Sequence, residues 1–266
     1  MNRLRNSYEL KLIRESGRIA SLALKKAMEA IKVGVTELEV DKAVAEEIYK
    51  QGGDLSYKTV PGYQYATCIT VNEQVVHGIP TDRKFESGDL VSVDLAVVYK
   101  GWHTDCAWSV IVRDKQSLRS DDLQKSKIKD QKEREKFLKT GENALWLGIA
   151  QAEDGNRVGD ISSAIQGSVE GNGYSVVRSL VGHGVGRSLH EDPEIPGFGE
   201  GGKGPVLKSG MSLAIEVIYT AGSPDVRLEE DGWTFSSADK SQGGLFEMTV
   251  IVGKRAPEVL TDWRKT

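Results

Sequence analysis

Cysteine is scarce in this chain of 266 residues, which has only Cys68 and Cys106. The two form no C-x-x-C pair and no zinc-finger spacing, which excludes a cysteine-built structural zinc site and a disulfide framework. Two free, partly buried thiols in a reducing compartment are expected. Long apolar runs are missing as well. No stretch approaches the ~18 apolar residues of a membrane span. The amino terminus, Met1-Asn-Arg-Leu-Arg-Asn-Ser-Tyr, lacks the apolar core of a secretory signal. The expectation is a cytoplasmic protein without a membrane partner. Charge of one sign is not in excess either. A net charge of -4 gives no electrostatic ground for a nucleic-acid site. What is present is the mixed composition of a soluble globular protein, long enough to bury a substantial core. Glycine is abundant but without period, which points to tight turns and close backbone approaches rather than a fibre.

Apolar residues recur at helical spacing over 9–32, at Leu10, Ile13, Ile19, Leu22, Leu24 and Met28. A second helix fits 36–51, with Thr36 as its N-cap and Gly52-Gly53 as its stop. Strand-like runs follow at 66–72 and 90–98. A turn near Lys100-Gly101 leads into a third at 103–112. Residues 113–136 are strongly charged and read as a solvated loop running into an exposed helix start. Beyond them the first pattern recurs. A shift of 121 positions superimposes Ala23 on Ala144, Leu24 on Leu145, Gly34 on Gly155, Val40 on Ile161, Ile48 on Val169 and Gly52 on Gly173. Any two amphipathic helices can be slid into partial register, but the two glycine matches favour an internal repeat. The expected domain organisation is one catalytic domain over 1–266. Its halves lie at approximately 1–113 and 137–266 with a charged connector at 114–136, and the site lies between the halves, where pockets tend to form.

Four acids stand in segments that otherwise read as buried strands. Asp94 interrupts Leu90-Val-Ser-Val-Asp-Leu-Ala-Val-Val-Tyr, and Asp105 lies in the returning strand. A two-residue turn at Lys100-Gly101 pairs Asp94 with Ala107 and Asp105 with Ala96, so the carboxylates lie diagonally on one face. A turn one residue earlier would set them directly opposite. Either way two like charges share an apolar ribbon, which is unfavourable without a cation between them. Glu216 sits in Met211-Ser-Leu-Ala-Ile-Glu-Val-Ile-Tyr and Glu247 in Leu245-Phe-Glu-Met-Thr-Val-Ile-Val. One such residue is ordinarily an edge-strand or turn-capping acid; four of them ask for a shared explanation, and a divalent metal supplies it. The chain has four histidines, His77, His103, His183 and His190, and any one alone is best read as a hydrogen-bonded structural residue. One imidazole with four carboxylates is a hard, oxygen-rich set that suits Mn(II), Fe(II), Co(II) or Zn(II) in a dinuclear site. Gly197-Phe-Gly-Glu-Gly-Gly-Lys-Gly imitates a phosphate-binding loop. It ends in Gly204 instead of Ser or Thr, follows no buried strand and precedes Pro205, so it reads as a flexible loop.

Taken together, the motifs resemble the type I methionine aminopeptidases. The matching segments are Val71-Asn-Glu-Gln-Val-Val-His-Gly-Ile-Pro, Gly88-Asp-Leu-Val-Ser-Val-Asp and Gly101-Trp-His-Thr-Asp. They continue with Gly182-His-Gly-Val-Gly-Arg-Ser-Leu-His-Glu-Asp-Pro, Leu207-Lys-Ser-Gly-Met-Ser-Leu-Ala-Ile-Glu, Asp231-Gly-Trp-Thr and Phe246-Glu-Met-Thr-Val-Ile-Val. They occur in family order over essentially the whole chain and are highly specific as a set. The resemblance implies an α+β pita-bread fold, two pseudo-twofold-related α/β halves around a curved antiparallel sheet. It implies two divalent metal ions (Mn, Fe, Co or Zn) held by Asp94, Asp105, His183, Glu216 and Glu247, with Asp105 and Glu247 bridging. His77 and His190 match the substrate-contacting histidines, and Tyr63, Cys68 and Trp233 match positions lining a methionine pocket.

The sequence departs from the family pattern at Val217, where proline usually follows the ligand, and at Met248, where histidine is usual. Leu189 replaces an aromatic residue that packs on the methionine side chain, and Val60 stands near a common pocket tyrosine. These departures bear on the pocket's shape and leave every ligand in place. The implied reaction is hydrolysis of the amino-terminal methionine of nascent peptides near the ribosome, with a small second residue preferred. A metal-activated hydroxide would be the nucleophile and Glu216 the general acid/base. His77 or His190 would stabilise the oxyanion. A monomer of the compact form, without a zinc-binding ribosome module, is expected. The rivals are a proline-specific aminopeptidase or prolidase, disfavoured by the His77-Gly-Ile-Pro and Asp231-Gly-Trp-Thr motifs, and a non-catalytic binding protein, disfavoured by the full ligand set.

Overall fold

The computed structural model describes residues 5–114 and 124–266, with side chains described over the same spans except for 124–130. The chain opens with helices α1 (Ser7–Ala30) and α2 (Glu37–Lys50). Each starts at a reciprocal capping box. The Asn6 side chain accepts from the Glu9 amide while Glu9 accepts from Asn6, and Thr36 and Glu39 repeat the arrangement. α1 starts and ends two residues before the apolar pattern does, because the cap rather than the first apolar residue fixes its start. The cap residue of α2 is Thr36, as expected.

Strands β1 (Asp54–Leu55), β2 (Thr67–Val71), β3 (Gln74–Val76), β4 (Leu90–Tyr99) and β5 (Trp102–Ile111) follow. Lys100 and Gly101 both take positive φ, 50° and 77°, the signature of a type I′ hairpin turn. That turn pairs Asp94 with Ala107 and Ala96 with Asp105, so the two acids lie diagonally on one face and the directly opposed alternative is excluded. Residues 115–123, part of the charged connector, lie outside the described residues. From Gln124 the chain is helical.

The second half contains α3 (Gln124–Ile149), α4 (Val158–Gly171), β6 (Ser175–Val176), β7 (Gly182–Gly184), β8 (Glu191–Ile195) and β9 (Ser212–Thr220). It closes with β10 (Val226–Leu228), β11 (Phe235–Ser237), β12 (Gly243–Ile251) and β13 (Glu258–Val259). α2 and α4 end in the same device. Gly52 (φ 81°) and Gly173 (φ 84°) adopt the left-handed conformation that closes a Schellman turn. In the first, Gly53 N donates to Ile48 O and Gly52 N to Tyr49 O; in the second, Tyr174 N donates to Val169 O and Gly173 N to Glu170 O.

The main sheet is antiparallel and runs β1-β4-β5-β12-β9-β7-β8, with β2 against β4, β6 against β9 and β13 against β12. A small sheet, β10-β11-β3, stands beside it. α1 packs on β4 and β5, and α3 packs on β9 and β12. Strand alternation sends Val91, Val93, Leu95, Cys106, Trp108, Ile215, Val217, Tyr219, Phe246 and Met248 into the one large core with the helices. The residues between them face the other way. Val217 and Met248, two of the departures from the family pattern, therefore belong to the core side and not to the acid-bearing face.

Candidate metal centre

The four acids come together through strand register. Asp94 pairs with Ala107, Ala107 with Glu247, and Glu247 with Glu216. A single row thus crosses β4, β5, β12 and β9, with the small Ala107 leaving room between two carboxylates. Asp105 lies two residues along β5 from Ala107, on the same face. His183 enters from β7, where its strand partner is Ala214, two residues from Glu216. Gly182 is needed for that approach: a Cβ there would stand 2.7 Å from the Ala214 carbonyl oxygen. Ligand atoms of Asp105, His183 and Glu247 all lie within 4.8 Å of one another. Asp94 and Glu216 line the same cavity of about 670 Å³.

The electrostatics of this face are unfavourable as it stands. Burial pushes the Asp94 carboxyl up to about 6, against hydrogen bonds with Tyr57 and Asp105 that pull the other way. Burial, then the Asp94 charge, raises Glu216 to about 8. Asp105 and Glu247 are held well above the usual carboxylate range, first by burial and then by their acidic neighbours. Glu247 Oε1 is buried with no hydrogen-bond partner among the described residues. His183 is lowered to about 4 by burial and by nearby His190, so its ring is neutral at physiological pH. Its Nδ1 lies 2.9 Å from the Gly184 carbonyl oxygen; donation there leaves the Nε2 lone pair facing the acids, 4.0 Å from Asp105 Oδ2. An orphaned carboxylate oxygen, crowded acids and a neutral imidazole turned toward them are the donor set of a divalent-cation site.

Second-tier contacts hold these acids in place. The Thr249 hydroxyl accepts from the Asp105 amide at 2.9 Å and donates to the Asp105 carbonyl at 2.8 Å. The Tyr57 hydroxyl donates to Asp94 Oδ1 at 2.6 Å and lies 3.5 Å from Asp105 Oδ1. Tyr57, on a 3₁₀ turn at Ser56–Thr59, was not singled out from the sequence, where nothing around it is patterned.

Beside the acids lies an apolar recess. Tyr57, Tyr63, Cys68, Leu189, Val60 and Trp233 belong to one cluster. Tyr63 stands edge-on to Trp233 with ring centroids 5.1 Å apart, and edge-on to Tyr57 at 5.7 Å. Trp233 is presented by Asp231, whose Oδ1 accepts from the amides of Trp233 and Thr234, both at 2.8 Å. His77 and His190 also line the cavity. The His190 ring lies 4.4 Å from that of His183, and His77 adopts a left-handed φ of 59° with its ring edge-on to Phe235. Burial lowers the pKa of both, the charge of His190 adding to the effect on His77. The fourth histidine, His103, lies outside the cavity lining, its Nδ1 2.7 Å from Ser56 Oγ. The glycine-rich run at 197–204 forms a turn-rich loop with no helix after it.

Comparison with known proteins agrees with this geometry. The model of metallopeptidase family M24 matches residues 11–253. The methionine aminopeptidase of Clostridium perfringens is 40% identical, over 97% of this chain and 98% of its own length. Methionine aminopeptidase 1 of Bacillus subtilis is 39% identical, over 95% and 96%. The crystal structure of methionine aminopeptidase from Thermotoga maritima superimposes with a TM-score of 0.89 at 37% identity, covering 98% of this chain and 99% of that one. A mixed fold with a buried acid row and near-full-length likeness to such enzymes has one reading: the chain belongs to metallopeptidase family M24, among the methionine aminopeptidases.

Proposed function

We propose that this protein removes the initiator methionine from polypeptide chains as a dinuclear metallo-aminopeptidase. The observation that carries the reading is the juxtaposition of the acid row with the aromatic recess, both opening into one cavity. Asp94, Asp105, His183, Glu216 and Glu247 would hold two ions of Mn(II), Fe(II), Co(II) or Zn(II). Such ions supply Lewis-acid polarisation of the scissile carbonyl and acidify water near neutral pH.

The chain's own residues do the rest. A carboxylate near the reacting water must take its proton and return it to the leaving amine, and Glu216, which lines the cavity beside Glu247 in the acid row, is assigned that exchange. His77 and His190, both kept neutral by burial, donate N–H groups toward the oxygen on which negative charge develops. Tyr63, Cys68, Leu189 and Trp233 receive the methionine side chain. Aromatic edges are favourable contacts for a thioether sulfur. The substrate's free α-amino group belongs against the acid row, which limits cleavage to chain ends. Crowding beside the recess would favour a small second residue.

The same reading includes a single catalytic domain with halves at 1–113 and 137–266, a monomeric state, and action in the cytoplasm on nascent chains near the ribosome. The test is hydrolysis of Met-Ala-Ser against Ala-Pro-Ala after EDTA treatment and re-addition of each metal. Metal-restored release of methionine, with the proline peptide spared, is expected. Cleavage of the proline peptide alone would overturn the substrate assignment.

A further inference from the structure

Arg5 lies just before α1, far in sequence from the cavity, yet its side chain is 3% exposed and paired with Glu191 at 2.5 Å. The two oxygens of Glu191 divide their work. Oε2 takes the Arg5 guanidinium, while Oε1 accepts from the backbone amides of Arg187 at 2.6 Å and Ser188 at 3.1 Å. Those amides open the short turn that carries Leu189 and His190 into the cavity. Arg5 is itself held in place. It lies over the Trp102 ring at 5.2 Å, and Arg187 also stacks on Trp102, at 4.4 Å. Its Nη2 reaches the Val185 carbonyl at 3.4 Å and its Nε the Ser212 hydroxyl at 3.5 Å. Gly186 leaves the space for this arrangement. A Cβ there would stand 2.3 Å from Arg5 Nη2 and 3.0 Å from Glu191 Oε1.

We propose that Arg5 is a positioning residue for catalysis: through Glu191 it fixes the 187–190 turn, and with it the placement of His190 and Leu189 against the substrate. The inference rests on the assignment of those two residues to the substrate site. Its physical basis is that a carboxylate clamping two amides from a half-buried position needs a counter-charge. Without Arg5, Glu191 turns toward water, the amides lose their acceptor, and the turn samples other positions. Misplacement of a catalytic group by about 1 Å is enough to cost one to two orders of magnitude in rate.

The full-length, Mn(II)-loaded protein is the material for the test. Arg5→Ala is expected to lower kcat/KM for Met-Ala-Ser by about 10-fold or more, mostly in kcat, and to narrow the preference for methionine over leucine at the first position. The Mn(II) dissociation constant, measured by calorimetry, should stay within about twofold, because the contacts described for Arg5 are to Glu191, Val185, Ser212 and Trp102 and not to a proposed ligand. Millimolar guanidinium should restore part of the rate to Arg5→Ala, and Arg5→Lys should fall between it and the parent. Arg14→Ala is the control. It removes another ion pair anchoring α1, to Glu258 at 2.7 and 2.8 Å, remote from the cavity, and should leave the kinetics unchanged. His190→Ala, run in parallel, tests the underlying assignment; parental kinetics there would remove the basis of the proposal by a separate route. With His190→Ala impaired, an Arg5→Ala protein that only melts earlier, at parental kcat and selectivity, would overturn the proposal. So would a loss of rate that neither guanidinium nor Arg5→Lys restores. Should Arg5→Ala fail to fold, Glu191→Gln keeps an acceptor for the amides but removes the charge that Arg5 pairs with, and the same kcat loss at unchanged Mn(II) affinity is expected.

Discussion

Stripping the metal and raising the pH should destabilise this protein far more than either change does alone. In the metal-free chain the buried acids hold protons they would not hold when unfolded. Asp94 moves from 3.8 to about 6 and Glu216 from 4.5 to about 8. A group whose folded pKa is raised contributes its stability below the unfolded value and loses it as pH rises through the folded value. For Asp94 that window runs from 3.8 to about 6, and for Glu216 from 4.5 to about 8. Each pH unit inside a window costs about 1.4 kcal/mol per group. From pH 5 to 7.5, Glu216 alone loses about 3 kcal/mol. At roughly 2–4 °C per kcal/mol for a chain of this size, the apo Tm should fall by on the order of 10 °C. Asp105 and Glu247, also raised, act in the same direction.

Bound cations remove this penalty by replacing the protons, so the Tm of the Mn(II)-loaded protein should stay nearly level over the same range. Thermal melts of the EDTA-treated and Mn(II)-loaded protein from pH 5 to 8 make the comparison. Calorimetric titration at pH 7 in two buffers of different ionisation enthalpy should show net proton release on metal binding. A gap between apo and loaded Tm that does not widen with pH, together with no proton release, would refute the assignment of this acid row as the metal site.

Other expectations follow from the same geometry. Tyr57→Phe removes the hydroxyl that donates to Asp94 at 2.6 Å, so Mn(II) affinity should weaken by about 10-fold at an unchanged fold, read by calorimetry and circular dichroism. Glu216→Gln, assayed at saturating metal, should lose about 10²-fold or more in kcat, and near-parental turnover would remove its proton-shuttle role. Gly52→Ala and Gly173→Ala each force an alanine into φ above +80°, in open space, and should cost about 1 kcal/mol apiece in urea melts with little effect on kcat.

The parts that were legible in the sequence are those that local rules determine. Thr36 is readable as the N-cap of α2, and Lys100-Gly101 marks the turn between β4 and β5, although its exact register, and so the diagonal placement of Asp94 and Asp105, is set only in the structure. The four acids stood out because each interrupts an apolar strand, a conflict that only a shared partner resolves. Gly52 and Gly173 could be matched because a Schellman turn needs glycine whatever surrounds it. The remainder depends on long-range register. No nearby turn sets β12 against β5, so the row from Asp94 through Ala107 and Glu247 to Glu216 could not be derived from spacing. β7 and β8 are too short and too polar to read as strands; β7 reaches β9 because Gly182 admits the Ala214 carbonyl where a Cβ would not fit. Tyr57 and Arg5 left no mark at all, since their partners lie 37 and 186 residues away and neither breaks a pattern. A periodic pattern reveals a residue that violates its surroundings, as the buried acids do. It is silent about a residue that fits its surroundings and acts through a distant contact, as Tyr57 does on Asp94 and Arg5 on Glu191.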